Sequence, residues 1–166
     1  FTKEIRQTES ITTTVLANAF VRATETAYKA VMKPKEGTIL TVAKGMSDKA
    51  VELVTETEDI ISFAEQVIAH GDYVLSQTPE MLPILKQAGV VDSGGQGLMQ
   101  VVKGALDGLL GKEIDLTAVE GNRPSVQVES SDIETSEIKF GYCTEFIINV
   151  EKPYDMDEEH RFKGYL

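Results

Sequence analysis

The sequence predicts a mainly α protein, an antiparallel helical bundle or barrel, followed by an acidic linker and the first strand and helix of an α+β unit. Three observations carry that reading. Residues 1–111 are rich in Ala, Val, Leu, Thr and Gly, with apolar residues recurring every three or four positions. Residues 113–137 hold seven acids against one base, Arg123. Six of the eleven aromatic residues then fall in the last thirty positions. The expected boundaries are 1–112 for the helical part, 113–136 for the linker and 137–166 for an incomplete second unit.

Each helix follows from its apolar spacing. Leu16, Phe20, Ala23, Ala27 and Val31 form one stripe, and Pro34 ends that helix soon afterwards. Thr38 can cap the second, whose inward face is Ile39, Val42, Ala43, Met46, Ala50 and Val54. A third follows Asp59, with Ile60, Ala64, Val67, Ile68, Val74 and Leu75 inward. Pro79 suits the first turn of a short fourth helix that Gly89 stops. The fifth carries Leu98, Val102, Ala105, Leu106 and Leu109 and ends near Gly111. Short connections between five helices favour antiparallel packing. In the tail, "EIKFGYCTEFIINVEK" alternates as a strand, and "DMDEEHRFKGYL" starts a helix after Pro153.

Composition narrows the function classes. A net charge of −11 disfavours nucleic acid or an anionic membrane as main partner. No apolar run approaches the ~20 residues of a membrane span. One cysteine, Cys143, excludes an internal disulfide framework and suits a reducing cytoplasm. His70 and His160 show no metal-ligand spacing with Cys143, and neither a Ser-His-Asp nor a Cys-His arrangement is supported. On a strand, Cys143 reads first as a small buried hydrophobe.

Two junctions could carry chemistry. In "VVDSGGQGLMQ" (residues 90–100), Asp92 or Ser93 can cap a helix whose first turn holds Gly94, Gly95 and Gly97. Bare N–H groups at a helix start attract a phosphate oxygen. Close helix packing on the glycines explains the same residues, and an acid directly before them repels phosphate. In "KPKEGTILT" (residues 33–41), a Pro-Gly turn leads into a start capped by Thr38, with Lys33 and Lys35 nearby. In an antiparallel bundle two such starts can lie at one end and converge on one ligand.

"AYKAVMKPKEGTILTVAK" followed by "LPILKQAGVVDSGGQGLMQVVKGAL" resembles the second half of the ATP-binding domain of the dihydroxyacetone kinase family. It is most similar to the version in the ATP-binding subunit of bacterial fatty acid kinases, and "FGYCTEFI" resembles the opening of that subunit's middle domain. The likeness runs from about residue 13 to the end and is weakest in the linker.

The resemblance implies a partial DhaL-like helical barrel with ATP or ADP at one end. It places Thr38 and Ile39 on the adenine side, and Asp92, Ser93, Gly94 and Gly95 in a loop over the nucleotide. Asp92 would then receive hydrogens from nucleotide hydroxyls or amines. Ser93 stands where many relatives have proline, as is usual in the fatty acid kinase branch. The family's magnesium loop, Asp-Gly-Asp-Thr-Gly, and its phosphate-gripping Gly-Asn-Ser-Gly turn are absent from this sequence. The chain is therefore expected to begin inside the domain and to be inactive alone, since metal and positioning supply most of the catalysis in phosphoryl transfer. Cys143 matches a cysteine implied to bind zinc with partners outside this chain. The implied whole is a cytoplasmic kinase that phosphorylates a fatty acid held on a separate binding protein. A dihydroxyacetone kinase subunit and a non-catalytic helical scaffold are the alternatives. With barrel helices absent, self-association as a homodimer is expected to cover apolar surface.

Overall fold

A computed structural model describes residues 1–6, 8–113 and 161. The expected linker and second unit, with Cys143, lie outside the described residues. Six helices follow one another: α1 (Thr2–Ile5), α2 (Thr13–Ala30), α3 (Ile39–Leu53), α4 (Ile60–Met81), α5 (Pro83–Ala88) and α6 (Ser93–Leu109). The mainly α, antiparallel reading holds for these residues. None of these helices is long and apolar enough to cross a membrane.

Caps set the starts, as the sequence requires. Thr12 accepts the Val15 N–H, Asp59 accepts those of Ile61 and Ser62, and Asp92 accepts that of Gly95. Gly89 ends α5 in the left-handed region at φ 64°, and Gly111 follows α6 at φ 70°. The short α1 has no apolar period to announce it; Phe1 meets the Phe20 ring edge-on, with centroids 5.3 Å apart.

One boundary differs from expectation. Pro79 does not open the short helix: α4 runs through it to Met81, and Pro83 is the first-turn proline of α5. A proline inside a helix leaves the carbonyl four residues earlier without its donor. Here that carbonyl is Leu75 O, and the Thr78 hydroxyl donates to it at 2.8 Å. The neighbouring side chain thus replaces the missing backbone bond, and the helix continues.

Helix α3 is central, packing on α2, α4 and α6, while α4 also packs on α6 and α5. The tightest meeting is at Gly71 of α4, where a Cβ would come within 2.7 Å of Met99 Sδ and 2.9 Å of Met46 Cγ. Gly45 of α3 likewise leaves room for Val74, whose Cγ2 would be 2.6 Å from an added Cβ. Phe63, Met46, Leu53, Met99, Val42 and Val67 are the large, fully buried apolar side chains.

The inward faces need correcting in two places. Val42, Met46, Ala50, Val67, Ile68 and Leu75 are buried as expected, but Phe63 and Leu53 are core residues where the expected faces had Ala64 and Val54, the latter only partly buried against the core. The buried row of α4 is Phe63, Val67, Gly71, Leu75 and Thr78, and its glycine and threonine hide the period. Conversely Val31, Ile39 and Leu109 were expected inward and are 42%, 42% and 59% exposed. Ile39 and Leu109, with Leu16, Phe20 and Leu98, instead line a cavity of about 730 Å³ bounded by α2, α3, α4 and α6. Thr24 is the polar residue in that lining.

Candidate functional site

The two helix starts lie side by side. An added Cβ at Gly94 would be 3.3 Å from Ile39 Cβ, and one at Gly95 would be 2.9 Å from Val42 Cγ2 and 3.0 Å from Leu75 Cδ1. The first turn of α6 therefore rests directly on the first turn of α3. Gly95 is needed for that approach, and at Gly94 a side chain would be tightly fitted. Gly97 is different, because nothing lies within 4 Å of its added Cβ.

Backbone polar groups at this edge are only partly paired. The Asp92 carboxylate accepts the Gly95 N–H at 2.7 Å through Oδ2. Asp92, not Ser93, is thus the cap, and this N–H is already taken. Thr38 donates its hydroxyl to Lys35 O at 2.8 Å and accepts the Leu40 N–H at 3.4 Å. Among the described residues, no protein acceptor meets the N–H groups of Ile39, Ser93 or Gly94. Those three donors belong to the two first turns that pack together, and both Ile39 and Ser93 are exposed.

The turn before α3 is held rigidly. Gly37 has φ 82°, and its N–H donates to Thr41 Oγ1 at 2.8 Å. Thr41 in turn donates to Glu36 Oε2 at 2.7 Å, and the Tyr28 hydroxyl donates to Glu36 Oε1 at 3.3 Å. Burial, then the charge and hydrogen bond of Glu36, raise the Tyr28 phenol above its ordinary pKa. An added Cβ at Gly37 would meet Leu82 Cγ and Met81 Cβ, each at 2.9 Å, so the turn sits hard against the end of α4.

Thr78 joins the two junctions and was not singled out in the sequence. Fully buried, it accepts the Asp92 N–H at 3.0 Å while donating to Leu75 O. The signal available was a Thr-Pro pair inside an apolar helical run.

Family comparison adds the decisive observation. The DAK2 domain matches residues 1–107, beginning ahead of the expected residue 13. The chain belongs to the dihydroxyacetone kinase family. The DAK2 match covers α1 to α5 and all but the last two residues of α6, including both junctions. The chain is 42% identical over 167 residues to an uncharacterized protein of Staphylococcus haemolyticus, and 39% identical to one of Staphylococcus saprophyticus. A protein of Staphylococcus aureus strain USA300 is 40% identical. Each match covers 98% of this chain and 30% of the relative, so the chain spans under a third of those proteins.

Bare backbone donors beside exposed Ile39 fit the polar and apolar parts of a nucleotide. Metal ions fit less well: no group of three or more His, Cys, Asp or Glu that could hold one occurs among the described residues. Cys143, the expected zinc ligand, lies outside the described residues.

Proposed function

We propose that the paired starts of α3 and α6 form one wall of an adenine-nucleotide site. The whole protein would transfer the γ-phosphate of ATP to a fatty acid presented by a separate binding protein. In that reaction a carboxylate oxygen attacks the γ-phosphorus, the bond to the β–γ bridging oxygen breaks, and acyl phosphate and ADP result. Ile39 offers an apolar flank, and Ser93 and Gly94 offer N–H donors. Asp92 holds the turn through Oδ2 and can accept a hydrogen from the nucleotide through its other oxygen. The observation that supports this reading most is the direct contact between Ile39 and the Gly94 position.

A helical scaffold has one observation in its favour: packing alone explains Gly94 and Gly95. Ser93→Glu separates the two readings, because Ser93 is exposed and opens α6. An acid in the first turn stabilises a helix by about 0.3–1 kcal/mol through the helix dipole. The same charge at this edge repels a nucleotide. In a protein of the relatives' full length, the expected result is an equal or higher melting temperature with ADP affinity reduced about tenfold, since electrostatic effects near a surface reach ~1.4 kcal/mol. Unchanged ADP affinity in calorimetry would exclude the site. An acceptor assay comparing a protein-bound fatty acid with dihydroxyacetone then distinguishes the two kinase readings.

A further inference from the structure

We propose that Thr78 is a positioning residue that holds the start of α6 in register with the start of α3, and so sets the nucleotide-facing edge. The inference rests on the nucleotide reading for its functional consequence but on geometry for its substance. Thr78 lies in α4, on neither junction, and its side chain is fully buried.

The sequence Thr78-Pro79 makes the device. Pro79 has no N–H, so Leu75 O lacks its normal helical partner. That free carbonyl accepts a hydrogen bond from the Thr78 hydroxyl, with the two oxygens 2.8 Å apart. With the proton directed back along α4, the Thr78 oxygen is left to accept, and it accepts the Asp92 N–H at 3.0 Å. A hydroxyl can donate one hydrogen and accept others, so both bonds coexist.

The bond falls at a sensitive place. Asp92 is the cap of α6, and its carboxylate fixes the Gly95 N–H. The Thr78 carbonyl oxygen lies 3.2 Å from an added Cβ at Gly37 and accepts the Leu82 N–H at 3.1 Å. Side chain and backbone of one residue therefore touch both turns. At Gly94 and Gly95, by contrast, the neighbouring helices approach with apolar atoms of Ile39, Val42 and Leu75. Such contacts set distance but are not directional, whereas a hydrogen bond also sets orientation.

The test uses Thr78→Val, which keeps the shape and removes the hydroxyl, and Thr78→Ser, which keeps the hydroxyl. Amide hydrogen exchange at Asp92 and Gly95 is measured by NMR and ADP affinity by calorimetry, each in the full chain. In Thr78→Val both amides are expected to exchange about tenfold faster and ADP to bind about tenfold more weakly, the scale of one buried hydrogen bond. Thr78→Ser should restore both. Unchanged exchange at Asp92 in Thr78→Val overturns the proposal, and so does faster exchange with unchanged ADP affinity. If the unsubstituted protein binds no ADP, the nucleotide reading fails while exchange still decides the role of Thr78. If Thr78→Val does not fold, the unsubstituted protein decides: its Asp92 amide should exchange at least about tenfold more slowly than that of Ser93. Equal rates overturn the tie.

Discussion

Phe63→Ala is expected to lower the unfolding free energy by about 3–5 kcal/mol, read from urea melts at unchanged slope. Phe63 is wholly buried and belongs to the core cluster, with Val67 one turn further along the buried row of α4. Large-to-small substitutions cost less where surrounding groups can move into the gap. Here Phe63 also borders the apolar cavity, so the deletion enlarges an existing space. The upper part of the range is therefore expected. A loss below about 1 kcal/mol would show that this row is not the core, since scattered surface substitutions stay within ~0.5 kcal/mol.

Gly95→Val is expected to act on both stability and binding. Its first added carbon meets Val42 Cγ2 at 2.9 Å and Leu75 Cδ1 at 3.0 Å before the branches are counted. Overpacking of this kind costs about 1–3 kcal/mol and moves backbone. The start of α6 must lift away from α3, separating Gly94 from Ile39, and nucleotide affinity should fall with stability. Loss of binding in this variant alone cannot identify a ligand contact, because folding changes too. Gly97→Ala is the control. Its added Cβ meets nothing, and an alanine in a helix gains about 0.5–1 kcal/mol over glycine. Thermal melts of the pair should move in opposite directions. Equal shifts would contradict the packing described for Gly95.

Much of this architecture was legible in the residues. Caps at Thr38, Asp59 and Asp92 and stops at Gly89 and Gly111 follow from local chemistry that the fold does not override. The phase of α4 was legible in part: Val67, Ile68 and Leu75 are buried as expected, but Phe63 was passed over. Gly71 and Thr78 occupy inward positions that an apolar pattern passes over, so Ala64 took the place of Phe63 in the expected face. Pro79 misled for a related reason: a proline signals a boundary unless a side chain satisfies the carbonyl it strands, and Thr78 does so. Ile39 and Leu109 belong to apolar stripes and were expected inward. They are exposed because their faces border a cavity, which periodicity cannot distinguish from a packed interior.

The candidate site was legible to a different degree. Its two turns were visible as helix beginnings with glycine and hydroxyl chemistry, and the structure places them in contact. What sequence could not supply was their link, because Thr78 is remote from both turns and resembles an ordinary helical residue. Nor could it divide the glycines by task. Gly94 and Gly95 allow helices to touch, Gly37 takes a left-handed turn, and Gly97 has open space beside it.

The cavity between α2 and α6 bears on how the described helices respond to temperature. Apolar surface still facing solvent in the native state contributes little new hydration when the chain unfolds. The heat-capacity increment of unfolding, calorimetrically measured, should accordingly fall below the usual ~12–15 cal/mol/K per residue. A smaller increment flattens the curve of free energy against temperature, so cooling would weaken these helices less than it weakens a protein of similar size with a closed interior.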